Sequence, residues 1–293
     1  MYSGYSDFLP DLLDIQEYKR KADIIAAHCS KSSILHDYAL KIKGCGTCIG
    51  FDLFQDDFGV IEHKLVAANF CRLRLCPMCQ RRKSLRAYSE IIRIAESLNS
   101  FKFIHLVLTI PNVSAQDLSA AVSRLFSSSR RLFSLSAVKK AFKGVLRACE
   151  VTYNSDRKDY HPHLHCLVAV NSSYFSSRDY LSQAELLRLW NCFVGRGGVF
   201  LKKCTQTAAA VAEVAKYAVK PFESELRDHE LISVLETLHV SLKGRRLIQF
   251  FGVFREKAAE LKINLDDDLE LENSLAQFNY YYNEFLGKYV RME

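Results

Sequence analysis

No apolar run in this 293-residue chain reaches the roughly 18 residues that a bilayer-spanning helix needs, which sets aside a helical membrane protein. The first residues, Met1-Tyr2-Ser3-Gly4-Tyr5-Ser6-Asp7, lack the basic-then-apolar layout of a signal peptide, so a cytoplasmic protein without a membrane partner is expected. Internal repeats and low-complexity tracts are also missing, which sets aside repeat architectures and long disordered segments. Acids are absent between Arg72 and Arg86, a stretch that holds Arg72, Arg74, Arg81, Arg82, Lys83 and Arg86. They are absent again from Lys243-Gly244-Arg245-Arg246. The net charge of +7 is therefore unevenly spread, because Asp266–Glu272 holds a compensating acidic run. Without that run the body is clearly basic, the footprint of a polyanion binder, and these nine basic residues are the candidate DNA contacts.

What is present is a core and three chemical clusters. Hydrophobic residues make up 49% of the chain, ample for a packed interior. Phe103–Ile110 reads as a strand ended by Pro111-Asn112, and 114–142 as a helix opened by Ser114 with Asp117 three residues on. Gly144 breaks the pattern before a strand over 146–153. A polar turn over 154–160 leads to a strand over 163–170, which makes the pair a hairpin. Helix 182–193, a short strand at 199–201 and helix 207–220, closed by Pro221, complete the order β-α-β-β-α-β-α. The fold class expected is α+β, a ferredoxin-like or split βαβ core. Four regions are expected: a helical leader (1–43), a cysteine-rich basic module (44–95), the core (96–222) and a helical C-terminal extension with an acidic tail (223–293). Trp190 reads as core, and Tyr280-Tyr281-Tyr282 as part of a packed C-terminal helix.

Ten cysteines without an export signal argue against a disulfide framework. Cys45-Gly46-Thr47-Cys48 and Cys76-Pro77-Met78-Cys79 are two Cys-x-x-Cys pairs separated by 27 residues. Each can present two thiolates, and together they make a tetrahedral zinc site. Cys71 is an alternative ligand. The arginines around the second pair suit a module that sits on phosphates.

His161-Pro162-His163-Leu164-His165 opens an apolar strand, and alternate residues share one face. Burying several imidazoles together costs desolvation that a cation offsets. His163 and His165 are expected as ligands, with His161 as a further candidate and Glu150 of the neighbouring strand as the carboxylate. Mixed N/O ligation suits Mg²⁺ or Mn²⁺ acting as a Lewis acid on a phosphate oxygen. Glu213, Lys216, Tyr217 and Lys220 lie on the helix that follows. A phenol is a weak nucleophile and needs activation, which a polarised phosphate and Lys216 or Lys220 supply. Glu213, one turn before Tyr217, would oppose its ionisation and suits a general base for water in a second step.

In these blocks the chain resembles the HUH endonuclease superfamily and, more closely, the replication initiators of rolling-circle plasmids. Three blocks match in the expected order, Leu108–Asn112, His161–His165 and Glu213–Lys220, and the cysteine-rich Phe70–Cys79 and the late Gly244–Leu247 also match. The resemblance implies that Tyr217 attacks a phosphodiester in single-stranded or hairpin DNA at a plasmid origin. It would keep the 5′ end as phosphotyrosine and free a 3′-OH. It further implies Glu213-assisted hydrolysis at termination, host helicase and polymerase as partners, and Leu108–Asn112 as a core strand beside the metal strand. An HUH transposase shares the histidines and tyrosine, but many carry two tyrosines and one good candidate is present here. A relaxase would place its tyrosine near the N-terminus, where Tyr2 and Tyr5 lack a motif. A histidine-triad hydrolase leaves the tyrosine helix and the cysteines without a role. A zinc-dependent DNA-binding regulator without catalysis would make Tyr217 dispensable.

Overall fold

The computed structural model describes residues 10–55, 61–205, 211, 228–265 and 278–292. Of the helix expected over 207–220 only Val211 is described, so Glu213, Lys216, Tyr217 and Lys220 lie outside the described residues, as does the acidic run Asp266–Glu272. The chain divides into two compact units, Met1–Arg82 with Asp268–Glu293, and Lys83–Asp267. Both are built on antiparallel sheets in an α+β arrangement, with eight α-helices among the described residues. Among those residues no helix is long and apolar enough to cross a membrane.

The first unit holds α1 (Pro10–Cys29), α2 (His36–Lys43), β1 (Cys48–Gln55), β2 (Ile61–Ala68) and the start of α3 (Pro77–Ser97). Its sheet has the order β2-β1-β8-β9, with β8 (Phe278–Asn283) and β9 (Lys288–Arg291) supplied from the far end of the chain. The fully buried Lys19 joins α1 to α2, donating to Asp23 at 2.5 Å and to the Lys43 carbonyl at 2.6 Å. Tyr280-Tyr281-Tyr282 is thus a strand and not the helix expected. Tyr280 and Tyr282 are buried while Tyr281 is exposed, the period-two alternation of a half-buried strand, and aromatics favour such surfaces.

The second unit runs β3 (Phe101–Thr109), α4 (Leu118–Ser134), α5 (Ser136–Ala141), β4 (Phe142–Asn154), β5 (Asp159–Asn171), α6 (Gln183–Val194), β6 (Gly198–Lys203), α7 (Asp228–Leu242), β7 (Ile248–Gly252) and α8 (Val253–Glu260). Its sheet order is β6-β3-β5-β4-β7. β3 and β4 are therefore joined through helices and separated by β5, a split β-α-β connection. The single helix expected over 114–142 is two, because Leu135 is extended, and it begins at Leu118 instead of after Ser114. Ser114 bonds Asp117 within the preceding turn. The extension beyond residue 223 is not purely helical either, since β7 adds a fifth strand beside β4. A five-residue apolar segment ending in glycine cannot be told from helix by periodicity. The following turn needs Gly252, at φ 57°, where a Cβ would collide with the Lys143 carbonyl.

The two faces of this sheet are packed differently. Ile104, Leu106, Leu108, Leu164, Cys166 and Val168 form one core with residues of α4, α6 and α7. Leu146, Ala148, Leu167 and Ala169 form the other with Ile91 and Ile94 of α3 and Phe254 of α8. Each fully buried aliphatic side chain contributes about 1.5–3 kcal/mol. Arg147 lies within the first core, held by the Phe126 carbonyl, Ser129 and Gln249, with its guanidinium 4.4 Å from the Phe126 ring centroid.

Trp190, fully buried as expected of a core residue, donates from Nε1 to the Thr109 carbonyl at 2.8 Å and ties α6 to the end of β3. Gly197 passes so close that a Cβ would meet that carbonyl at 2.5 Å and Trp190 Nε1 at 2.6 Å. Gly197→Ala is therefore expected to lower stability by about 1–3 kcal/mol through overpacking. Because Trp190 is the one tryptophan in the chain, a denaturant titration followed by its emission reads this directly. An unchanged midpoint would show that the contact yields at no cost.

Candidate metal centres

Hairpin register builds the first centre. β4 and β5 pair with Glu150 opposite His163 and Ala148 opposite His165, so Glu150, His163 and His165 share one sheet face. Pro162 is tolerated because the ladder with β3 stops at His163, where Thr109 is the partner, and the next pairing on that side is the isolated Val113–Tyr160 bridge, so Pro162 itself has no ladder bond to complete. The cluster sits at this end of the strand. β3, which carries Leu108–Thr109, lies directly beside the histidine strand, the placement expected of it.

Both histidines aim Nε2 at the same oxygen, Glu150 Oε2, at 2.9 Å from His163 and 3.0 Å from His165. His163 Nδ1 lies 3.0 Å from the His161 carbonyl oxygen, which can only accept. The Nδ1 proton is thereby fixed, and a neutral His163 turns its lone pair toward a carboxylate. Two acceptors at that distance need a proton or a cation between them. Burial alone would raise the Glu150 carboxyl, but hydrogen bonds and charge from His163 and His165 outweigh it and hold it at about 2. Glu150 is thus ionised at neutral pH, as a ligand must be. One atom from each of the three residues lies within 4.8 Å of the others, a donor set of two imidazoles and a carboxylate that fits a divalent cation.

His161 is not a member of this set. Its ring lies edge-on to His163 with centroids 5.1 Å apart, and its carbonyl orients that neighbour. A residue that sequence reasoning passed over stands next to the set: His105 of β3 has Nε2 3.2 Å from His165 Nδ1, with ring planes within 10° of parallel. The available signal was an imidazole on the same strand face as Phe103, Val107 and Thr109.

The second centre, in the first unit, gathers the thiols of Cys45, Cys71, Cys76 and Cys79. Cys45 Sγ and Cys71 Sγ each lie 3.6 Å from Cys79 Sγ. Cys71, the alternative, joins this group of thiols where Cys48 was expected. Gly46, at φ 68°, turns the chain after Cys45 so that exposed Cys48 starts β1, paired with Tyr281 and bonded through its N–H to Asn69 Oδ1 at 2.9 Å. Arg72, at φ 61°, makes the matching turn after Cys71. The N–H groups of Cys71 and Arg72 donate to Cys45 Sγ and Cys79 Sγ at 3.4 and 3.2 Å, which favours thiolates. Proton sharing pulls the Cys71 thiol down and pushes Cys45 and Cys76 up. Four thiols so close cannot all ionise unaided, and a tetrahedral dication relieves that conflict.

The basic residues divide by what they touch. Arg72, Lys83, Lys243 and Arg246 are exposed. Arg74 is half-buried. Arg81 pairs with Asp14, Arg82 stacks 4.8 Å from the Phe70 centroid, and Arg86 donates to the Asn264 carbonyl at 3.1 Å. Arg245 fastens the end of α7 to α4, donating to Ser241, Ser123 and Ser119.

A family model described as replication protein matches residues 62–285. A Protein rep from Bacillus amyloliquefaciens is 30% identical over 340 aligned positions, covering 99% of each chain. A Protein rep from Streptococcus pneumoniae serotype 2 is 31% identical over 237 residues, 76% of this chain and 72% of that protein. One from Staphylococcus aureus is 39% identical over 158 residues, 53% of this chain and 68% of its own. No solved structure matches at a significant level.

Proposed function

Since the chain belongs to the replication-protein family, the Rep initiators of rolling-circle plasmids, we propose that it starts plasmid replication by nicking one strand of the origin through Tyr217. The observation that carries this reading is the convergence of His163 and His165 on buried Glu150 at one end of the sheet. The strand order β6-β3-β5-β4 supports reading the core as the ferredoxin-like HUH type.

Glu150, His163 and His165 would hold Mg²⁺ or Mn²⁺, which when bound polarises the scissile phosphate. The Tyr217 oxygen attacks phosphorus, the bond to the 3′ oxygen breaks, and that oxygen takes up a proton. A 5′-phosphotyrosine and a free 3′-OH result. Lys216 or Lys220 favours the phenolate, and Glu213 takes the proton of a water that releases the DNA at termination. Host helicase and polymerase would then act on the opened strand in the cytoplasm.

Cys45, Cys71, Cys76 and Cys79 would hold Zn²⁺ and order a DNA-docking module within residues 44–95. Among the basic residues, Arg72, Lys83, Lys243 and Arg246 are the exposed candidates for phosphate contacts.

The test is an origin oligonucleotide incubated with the full chain and Mn²⁺, resolved on a denaturing gel, with the adduct mapped by mass spectrometry. The expected product is a 5′-linked adduct on Tyr217 that chelator prevents. Cleavage without an adduct, or an adduct on another side chain, would replace Tyr217. No cleavage of any origin strand would favour a DNA-binding regulator.

A further inference from the structure

We propose that His105 is a positioning residue that sets the tautomer and ring orientation of His165, so that its Nε2 can serve a cation. The inference rests on reading Glu150, His163 and His165 as a cation site.

The two ligand histidines are supported differently. For His163 the support is the main-chain carbonyl of His161, an acceptor with no alternative role. For His165 it is the His105 side chain, whose Nε2 faces Nδ1 at 3.2 Å. An imidazole nitrogen that gives its lone pair to a metal leaves the ring proton on the other nitrogen. When His165 Nε2 serves a cation, Nδ1 must therefore donate, and His105 Nε2 must accept with its own proton on Nδ1. When His165 Nε2 instead donates to Glu150 Oε2, 3.0 Å away, Nδ1 becomes the acceptor and His105 Nε2 the donor. A carbonyl could serve only the first arrangement, whereas a neutral imidazole serves both by moving its proton between its two nitrogens.

Packing holds His105 for this role. Antiparallel pairing puts Val107 opposite His165, so His105 is the diagonal neighbour on the same face. Its ring plane lies within 10° of that of His165, and Phe200 closes on it edge-on with centroids 6.4 Å apart. An aliphatic residue would fill this half-buried space without taking a polar ring out of water. The hydrogen bond is what the histidine adds.

The test measures Mn²⁺ binding to the full chain by the electron paramagnetic resonance of the free ion, in the absence of DNA. His105→Leu, His105→Gln and Glu150→Gln are compared with the parent chain. His105→Leu is expected to weaken Mn²⁺ binding by about 10–100-fold, the usual loss for an outer-shell partner. His105→Gln, which keeps an acceptor that can also turn to donate, should recover most of it. Equal Mn²⁺ affinity in the parent chain and His105→Leu, with binding lost in Glu150→Gln, overturns the role of His105 and leaves the cation site standing. Mn²⁺ binding that is absent from the parent chain, or unchanged by Glu150→Gln, overturns the cation site itself and this role with it. Ring-nitrogen NMR of the parent chain saturated with Mg²⁺ gives a readout that needs no variant to fold. His165 Nδ1 and His105 Nδ1 should carry the protons, and a proton on His105 Nε2 in that state would refute the assignment.

Discussion

Glu150→Gln is expected to slow cation-dependent nicking of an origin strand by about 10²–10⁴-fold. That is the rate equivalent of the several kcal/mol a bound cation supplies to a phosphoryl transition state. The amide keeps the size of the side chain and can still meet His163 and His165, which now lie 2.9 and 3.0 Å from the carboxylate oxygen. What it removes is the one anionic group among the three gathered donors. The loss should therefore appear as failure to hold the cation, with folding retained. Single-turnover cleavage at saturating DNA over a range of Mn²⁺ concentrations separates the two, since a weakened site responds to added metal and an unfolded one does not. A variant that cuts within about threefold of the parent rate, against the expected loss, would remove Glu150 from the site.

The second large effect separates two cysteines that the sequence treats alike. Cys71→Ser should abolish metal binding at the proposed zinc site and loosen the first unit, while Cys48→Ser should change neither. Cys71 is one of four converging thiols and its N–H donates to Cys45 Sγ, whereas Cys48 is exposed at the start of β1. Structural zinc contributes on the order of 10 kcal/mol to small modules, and removing a ligand costs more than the roughly 10–100-fold in affinity that losing a supporting hydrogen bond costs. Zinc content by mass spectrometry together with thermal melting checks this. Full zinc occupancy in Cys71→Ser, or its loss in Cys48→Ser, would restore the pairing of the two Cys-x-x-Cys motifs.

What could be read from the sequence was local. The histidine strand announced itself by alternation, and Glu150 followed because a short hairpin turn between Asn154 and Asp159 fixes which residue faces His163. The order from β3 to β6, apart from the break of the 114–142 helix into two, came from the same short-range signals. The readings that failed depended on contacts between distant segments or on a backbone angle. Tyr280–Tyr282 is a strand because it pairs with β1, more than two hundred residues earlier, and no local pattern encodes that partner. Cys71 displaces Cys48 because two residues with positive φ turn the chain, and ligand spacing alone does not reveal which cysteines those turns bring together.

By itself the sequence determined the chemistry on offer in the described residues: histidines on one strand face, a carboxylate across the hairpin, and thiols in the basic module. These depend on periodicity and short turns, which neighbouring residues dictate. The tertiary structure alone decided which thiols converge, which arginines are held within the fold, and that His105 lies against His165. Each of those outcomes needs pairing or packing between segments far apart in the chain, and that geometry exists only once the sheets have formed.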